Sequence, residues 1–126
     1  MKFDRPIPIL RSFDERKAKE FYVEFLGFII DWEHRFDENS PLYMQLSKDQ
    51  CVIHLSEHYG DSSPGASLRV NILGLERYQK ELIKKEYRNA RPGIEPMPWG
   101  TRDMVIADPF GNRLIFTEEQ STKVHA

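Results

Sequence analysis

The chain has 126 residues, of which 40% are hydrophobic and 30% are charged, and this is the composition of a globular domain rather than of a disordered segment. Lysine and arginine total 18 against 20 aspartate and glutamate residues, so a net charge of -2 gives no basic field for nucleic acid or for an anionic membrane. One cysteine, Cys51, excludes an intrachain disulfide, and no apolar run reaches the ~20 residues that span a bilayer, so we expect one cytoplasmic domain over residues 1–126.

The first half of the chain predicts a strand, a helix and three further strands. The apolar run 5–11 predicts a strand whose two prolines constrain one edge. Ser12 and Glu15 form a capping-box pattern, and a helix is expected to begin there. Its apolar stripe ends before Gly27, where a left-handed residue closes the helix. The later strands are predicted over residues 28–36, 42–46 and 51–56, which completes a first module of about residues 5–57.

The second half repeats this order of elements. A segment rich in glycine, proline and serine, about residues 58–66, predicts a linker. An apolar stripe from Leu75 to near Tyr87 predicts the second helix, and the run 108–112 has the composition of a type I turn. Strands are predicted over residues 67–73, 94–97, 104–107 and 113–117, which gives a second module of about residues 67–119 and a tail over 120–126.

Three segments of the chain form a pattern in order. They are residues 7–11 through Asp14 to Phe21-Tyr22 and Leu26-Gly27-Phe28, then Pro98-Trp99-Gly100, then Asp108-Pro109-Phe110-Gly111-Asn112. Together they resemble the glyoxalase, bleomycin-resistance and dioxygenase superfamily, also called the vicinal oxygen chelate superfamily, from residue 7 to about residue 119. The resemblance is strongest to bleomycin-resistance proteins. It implies an α+β fold in which two βαβββ modules form an incomplete barrel around a cleft, and it implies a homodimer.

The resemblance also implies where a metal would be held, because enzymes of the superfamily bind a divalent ion in the cleft. The four ligand positions fall on Ile7, His54, Ser67 and Ile115. Only His54 is a good ligand, whereas a zinc site needs three or four. We therefore expect no metal and no other cofactor.

Three functions follow from this pattern. A metal-free protein of the bleomycin-resistance type would sequester a drug, toxin or metabolite in a dimer cleft, and this is the reading that the four positions favour. The alternative is a metal-dependent enzyme of the same fold, similar to a glyoxalase, a dioxygenase or a thiol transferase, with His54 and unrecognised ligands. The third is a structural or regulatory module whose cleft is filled by its own side chains.

Alternation along the strands, counted from the positions that the resemblance implies, gives the candidate binding residues of the strands, and the Pro98-Trp99-Gly100 motif adds Trp99. Trp32, His34 and Phe36 share one parity, with Tyr43 and Gln45 as odd-numbered neighbours on the next strand, and either this set or the one containing His54 could form the wall. The predicted ligand-binding residues are Trp32, His34, Phe36, His54, Arg69, Asn71, Trp99 and Ile115.

Two of these residues have competing interpretations. Arg69 lies among apolar neighbours, so it either pairs with an acid on a neighbouring strand or binds a ligand carboxylate or phosphate. His54 has the pKa range of a general base, but no positioned partner is visible in the sequence, so binding is favoured over catalysis and no residue is assigned a catalytic role.

Overall fold

The computed structural model describes residues 1–120, so the predicted tail 120–126 lies outside the described residues except for Gln120. The chain divides into two compact units, of which the first contains Met1–Ala66 with Pro109–Asn112 and the second contains Ser67–Asp108 and the segment that begins at Arg113. Each unit has the order strand, helix, strand, strand, strand. The predicted α+β class and the paired βαβββ modules are therefore confirmed.

The first unit is built on a four-stranded sheet. Strand β1 is Ile9–Arg11, and it is followed by helix α1, Glu15–Lys19, whose path continues as a π-helical segment over Glu20–Phe25. The strand order is β1-β4-β3-β2, with β1 parallel to β4 and the other pairs antiparallel. The three later strands are β2, Ile29–His34; β3, Tyr43–Lys48; and β4, Cys51–Ser56.

The second unit has an equivalent sheet in the order β5-β8-β7-β6, with β5 parallel to β8. Helix α2, Leu75–Lys84, follows the first of its strands. The strands are β5, Ser67–Asn71; β6, Ile94–Pro96; β7, Thr101–Ala107; and β8, Arg113–Glu119. Neither helix in residues 1–120 is long and apolar enough to cross a bilayer.

The start of α1 differs from the sequence prediction. Asp14 is the N-cap, and its carboxylate accepts a hydrogen bond from the backbone N–H of Lys17 at 2.9 Å. Ser12 is instead buried, and its backbone N–H donates to the carbonyl of Ser56 at 2.9 Å, so it extends the pairing of β1 with β4. The predicted capping box was wrong because the Ser12 backbone still pairs with β4, and Asp14, two residues later, caps the helix.

The end of the helix follows the prediction. Gly27 has φ +88°, a conformation that a side chain disfavours, and its N–H donates to the carbonyl of Val23 at 3.2 Å. The turn before it is widened, because Leu26 donates to the carbonyl of Phe21 five residues earlier at 2.9 Å. The predicted left-handed closure is confirmed.

Each sheet has one apolar buried face and an opposite face that carries polar side chains, and in the first sheet that opposite face also carries aromatic rings. In the first unit the buried set is Leu10, Met44, Leu46, Ile53 and Leu55, together with Ala18, Phe21, Tyr22 and Phe25 of the helix. In the second unit it is Met104, Ile106, Leu114 and Phe116, together with Leu75 and Leu82 of the helix. Because strand side chains alternate, the strand residues that alternate with this buried set, and those that pair directly with them, lie on the opposite face of each sheet, which we call the open face.

Candidate functional site

The open face of the first sheet carries a row of residues that spans its four strands. Ile9 pairs with His54 across the parallel ladder, and His54 pairs with Gln45 on the next strand. Gln45 in turn pairs with Trp32. Directly paired residues point to the same side of a sheet. Trp32 and His54, which the sequence placed in alternative sets of wall residues, therefore lie on one face of the first sheet.

A second row lies beside the first. Ser56 pairs with Tyr43, and Tyr43 pairs with His34. Arg11 lies at the other end of this row, because it pairs with Ser56 across the β1–β4 ladder. The row adds one cation and two aromatic rings to the open face.

A β-bulge in β2 adds Asp31 to the same face. Ile30 pairs with Leu46 and Trp32 pairs with Gln45, so Asp31 is the extra residue between them. A bulge allows two successive side chains to point to one side of a strand, which regular alternation forbids. Asp31 and Trp32 thus contribute to the open face together.

Five side chains of this face form one continuous hydrogen-bonded array. The Tyr43 hydroxyl lies 2.7 Å from His54 Nδ1, and His54 Nε2 lies 2.9 Å from Gln45 Oε1. The Gln45 side-chain N–H donates to Asp31 Oδ2 at 3.0 Å, and the Ser47 hydroxyl donates to Asp31 Oδ1 at 3.0 Å. We call this set the Tyr43–Asp31 array; it occupies both ring nitrogens of His54.

Aromatic rings surround the array. Trp32, which is 43% exposed, lies parallel to Tyr43 with ring centroids 5.9 Å apart, and both rings meet His54 at steep angles. Such a plate offers a large apolar surface at small cost in side-chain entropy, as is typical of binding sites. His34 and Phe36, two further predicted residues, form an edge-to-face pair with centroids 5.2 Å apart at the margin of this face.

The protonation states of the array have a physical cause. Burial lowers the pKa of His54, so the neutral imidazole is favoured. Burial, followed by the charge of Asp61, raises the pKa of Tyr43, so its hydroxyl keeps its proton. The hydrogen bond between the two side chains is therefore one from a neutral phenol to a neutral imidazole.

Arg11 lies near this cluster but is held by other groups. Its Nη1 donates to the backbone carbonyl of His58 at 2.8 Å, and its guanidinium carbon lies 4.8 Å from the ring centroid of Phe13 and 5.9 Å from that of Tyr59. These two contacts are cation–π interactions. Together with the His58 carbonyl, the rings of Phe13 and Tyr59 hold the cation, and none of these three groups belongs to the array.

The donor set of the first unit does not fit a divalent metal. His54 is in register with Ile9, two residues later than the predicted position Ile7, and neither aliphatic side chain can donate to a cation. Both nitrogens of His54 are engaged by Tyr43 and Gln45. Within residues 1–120, no three histidine, cysteine, aspartate or glutamate side chains come together as metal ligands.

The open face of the second sheet is organised around a buried carboxylate. Asp103 on β7 is 3% exposed, and it accepts hydrogen bonds from the hydroxyls of Thr117 at 2.7 Å and Thr101 at 3.0 Å. Arg69 on β5 completes the set through an ion pair of 3.0 Å, with 45% of its own side chain exposed. The acid that pairs with Arg69 therefore lies two strands away, beyond β8.

The pKa of Asp103 reflects a balance between burial and hydrogen bonding. Burial raises it, but the hydrogen bonds from Thr117, Arg69 and Thr101 together outweigh burial and lower the pKa below the usual value of an aspartate. The ionised form of Asp103 is therefore stabilised, and it orients the guanidinium of Arg69.

The other predicted residues of the second unit have separate environments. Ile115 pairs with Arg69 and is almost fully buried, whereas Asn71 is exposed opposite Thr117. Trp99 is 63% exposed in the β6–β7 turn, where Gly100 N–H donates to the carbonyl of Met97 at 3.1 Å. Within this unit Arg69, Asn71 and Ile115 share one face of the sheet, and Trp99 lies at the tip of a hairpin.

Asp31 and Asp103 were missed by the sequence analysis. Asp31 has the wrong parity for the face that contains Trp32, and only the bulge brings it there. Asp103 was left outside the predicted strand 104–107, whereas the observed strand begins at Thr101 and includes it. Strand pairing over long sequence separations is what a single sequence does not display.

Comparisons with known proteins agree with this architecture. A search of the curated proteins found no match. Among solved structures, a bleomycin-binding protein complexed with bleomycin is 23% identical and superposes with a TM-score of 0.69, over 94% of this chain and 100% of that chain. A bleomycin resistance determinant encoded on the transposon Tn5 is 20% identical, with a TM-score of 0.70 over 94% of this chain and 99% of that chain.

A third structure, a putative glyoxalase family protein from Bacillus anthracis, is 21% identical, with a TM-score of 0.62 over 95% of this chain and 99% of that chain. At these identities the likeness is one of fold. The family model of the glyoxalase superfamily proteins matches residues 1–123. Because that match covers nearly the whole sequence, the chain belongs to the glyoxalase superfamily.

Proposed function

We propose that the protein is a small-molecule binding protein of the bleomycin-resistance type, which sequesters a drug, toxin or metabolite without a bound metal. The observation that carries this proposal is the open face of the first sheet, where Trp32 and Tyr43 form an aromatic plate beside His54. A binding site of this kind needs apolar walls and a few fixed polar groups, and no nucleophile.

The state of His54 supports binding over metal chemistry. A metal-bound imidazole donates a lone pair to the ion, but in this chain one ring nitrogen interacts with Tyr43 and the other with Gln45. Loading a metal would require the array to break. We propose that His54 is a hydrogen-bonding residue of the binding wall and that the site works without a cofactor.

The second unit, taken by itself, carries its own group of proposed contacts. The guanidinium of Arg69 is anchored by Asp103 through Nη1 and remains partly exposed, so it offers N–H groups to a polar ligand atom. Asn71 is exposed on the same face, and Trp99 offers an exposed ring in the β6–β7 turn. Ile115 is proposed as apolar packing beneath Arg69 rather than as a polar contact.

A thermal-shift screen tests the proposal. Bleomycin, planar aromatic compounds and small carboxylates would each be added to the purified protein, because a ligand that binds only the folded state raises its melting temperature. We expect at least one aromatic compound to stabilise the wild type and to lose that effect in Trp32→Ala. Phe3→Ala is the matched control, since Phe3 is an 88% exposed ring outside both sheets, and it should respond like the wild type.

Two outcomes of that screen would contradict the proposal. If no compound shifts the melting temperature, the protein does not bind small molecules of these classes and the reading as a structural or regulatory module gains support. If stabilisation depends on an added divalent cation and is lost in His54→Ala, the protein is a metal-dependent member of the superfamily.

We also propose that the protein acts as a homodimer in the cytoplasm, as the resemblance to bleomycin-resistance proteins implies. Light scattering coupled to size exclusion measures the mass in solution, and a value of twice the 14.9 kDa chain mass is expected. A mass equal to that of one chain at micromolar concentration would contradict the dimer.

A further inference from the structure

In the Tyr43–Asp31 array, each hydrogen bond has a fixed donor and a fixed acceptor. This assignment determines whether the array offers a ligand a donor or an acceptor. The starting point is the carboxylate of Asp31, which is exposed and accepts hydrogen bonds from both Gln45 and Ser47. An exposed carboxylate at neutral pH has no proton to donate and can only accept hydrogen bonds. Gln45 must therefore turn its amide N–H toward Asp31.

The orientation of Gln45 then fixes the tautomer of His54. With its nitrogen facing Asp31, Gln45 presents its carbonyl oxygen to His54 Nε2 at 2.9 Å. A carbonyl oxygen only accepts, so His54 Nε2 must carry the proton. In a neutral imidazole the other nitrogen, Nδ1, is then an acceptor.

The tautomer of His54 in turn fixes the hydroxyl of Tyr43. The two atoms are 2.7 Å apart, and since Nδ1 accepts, the Tyr43 hydroxyl donates its only proton to it. The lowered pKa of His54 and the raised pKa of Tyr43 are consistent with this state, because both side chains remain neutral. The Tyr43 oxygen is left with lone pairs and with no proton for a ligand.

From this we propose that the site selects planar aromatic ligands that carry an O–H or N–H donor, with the ring on Trp32 and the donor on the Tyr43 oxygen. The inference rests on the proposed function, because it names the ligand class of the same open face. A ligand that placed an acceptor against Tyr43 would have to draw the Tyr43 hydroxyl proton away from His54. His54 Nδ1 would then lose its hydrogen bond at a half-buried position.

A matched pair of probes tests this inference. 2-Naphthol and 2-methoxynaphthalene have the same ring system, but only the first has an O–H donor. We expect 2-naphthol to bind the wild type on the order of tenfold more tightly in an isothermal titration, as the loss of one buried hydrogen bond implies. In Tyr43→Phe the ratio of the two dissociation constants should fall to about one, because the acceptor is gone.

The outcomes separate this inference from the proposed function. Equal binding of the two probes, lost in Trp32→Ala, would keep the aromatic site and overturn the donor selection. A preference for 2-naphthol that survives in Tyr43→Phe would also overturn it, since the preference would then come from the size of the methyl group. If neither probe binds in a manner that depends on Trp32, both the proposed function and this inference fail.

The direction of the array can also be measured without a ligand. In a nitrogen NMR spectrum of the neutral imidazole, we expect His54 to show a protonated Nε2 and an unprotonated Nδ1. Asp31→Asn is the matched variant, because its amide can donate to Gln45, and Gln45 can then turn its N–H toward His54. That variant should populate the other tautomer. A wild-type His54 protonated at Nδ1 would contradict the inference.

Discussion

The two units place a carboxylate on the same face of equivalent sheets but use it in opposite ways. In the first unit Asp31 is exposed and accepts hydrogen bonds from Gln45 and Ser47 in the Tyr43–Asp31 array. In the second unit Asp103 is buried, with three side chains donating to it. The difference teaches that the repeated order of strands determines which face a residue occupies, whereas depth within that face decides how far the carboxylate is exposed and how many groups donate to it.

The largest expected loss of stability comes from removing the buried carboxylate of Asp103. Asp103→Ala removes the acceptor of Thr117, Thr101 and Arg69, and we expect the free energy of unfolding to fall by about 2–4 kcal/mol. Asp31→Ala is the matched substitution in the first unit, and because Asp31 is exposed the loss should be below about 1 kcal/mol. Urea denaturation measures both. Equal losses would contradict the distinction between the two carboxylates.

The ionised carboxylate of Asp103 should also make the stability of the protein depend on pH. The folded-state pKa of Asp103 is lowered, so its contribution is fully present above the unfolded value of about 4 and is lost as the pH falls through the folded value. Asp103→Asn should therefore show a weaker loss of stability on acidification than the wild type. Urea midpoints at a series of acidic pH values test this, and parallel curves for the two proteins would refute it.

Removing the side chains that cap the two helix N-termini should cause a smaller loss of stability. Asp14 caps α1 locally, whereas α2 starts at Gly74 without a side-chain cap of its own, and Glu118 on β8 accepts from Gly74 N–H at 3.0 Å and Leu75 N–H at 3.1 Å. We expect Glu118→Ala to cost about 1–2 kcal/mol and Asp14→Ala about 1 kcal/mol in urea denaturation. Glu119→Ala, an exposed neighbour on the same strand, should change stability by less than about 0.5 kcal/mol. A similar cost for Glu118→Ala and Glu119→Ala would rule out the distant cap.

The smallest effect is expected at His54. Its pKa is lowered by burial, so the unfolded chain binds a proton more readily and folding loses stability as the pH falls below about 6.5, the unfolded value. His54→Gln has no such group and should lose less stability between neutral and mildly acidic pH. Melting temperatures across that range measure the difference. A steeper decline in His54→Gln than in the wild type would show that the charged imidazole is favoured by the fold.

Much of the fold could be predicted from the sequence because strand alternation and turn composition are local. The fourth strand was predicted with its observed bounds, Cys51–Ser56, and Gly27 was recognised as the residue that closes α1. Ser12 was misassigned because a serine that continues a strand and a serine that caps a helix have the same local sequence pattern. The distinction depends on the partner, here the carbonyl of Ser56, which is 44 positions away.

The candidate site was less accessible to prediction for the same reason. Parity and the family resemblance proposed Trp32 and His54 as wall residues, but the identity of their partners depends on the register of β2, β3 and β4. Regular alternation would place Asp31 and Trp32 on opposite faces, but a bulge brings both to the open face. The local amino-acid composition does not show where this bulge lies. The two interpretations of Arg69 were left open by the sequence, and the ion pair with Asp103 is a contact across three strands.

The central claim is that the face around Trp32, Tyr43 and His54 binds an aromatic small molecule without a metal. An isothermal titration of 2-naphthol into the protein, with and without excess EDTA, tests it most directly. The proposal predicts the same dissociation constant in both solutions. Binding that disappears in EDTA and returns when a divalent cation is restored would contradict it.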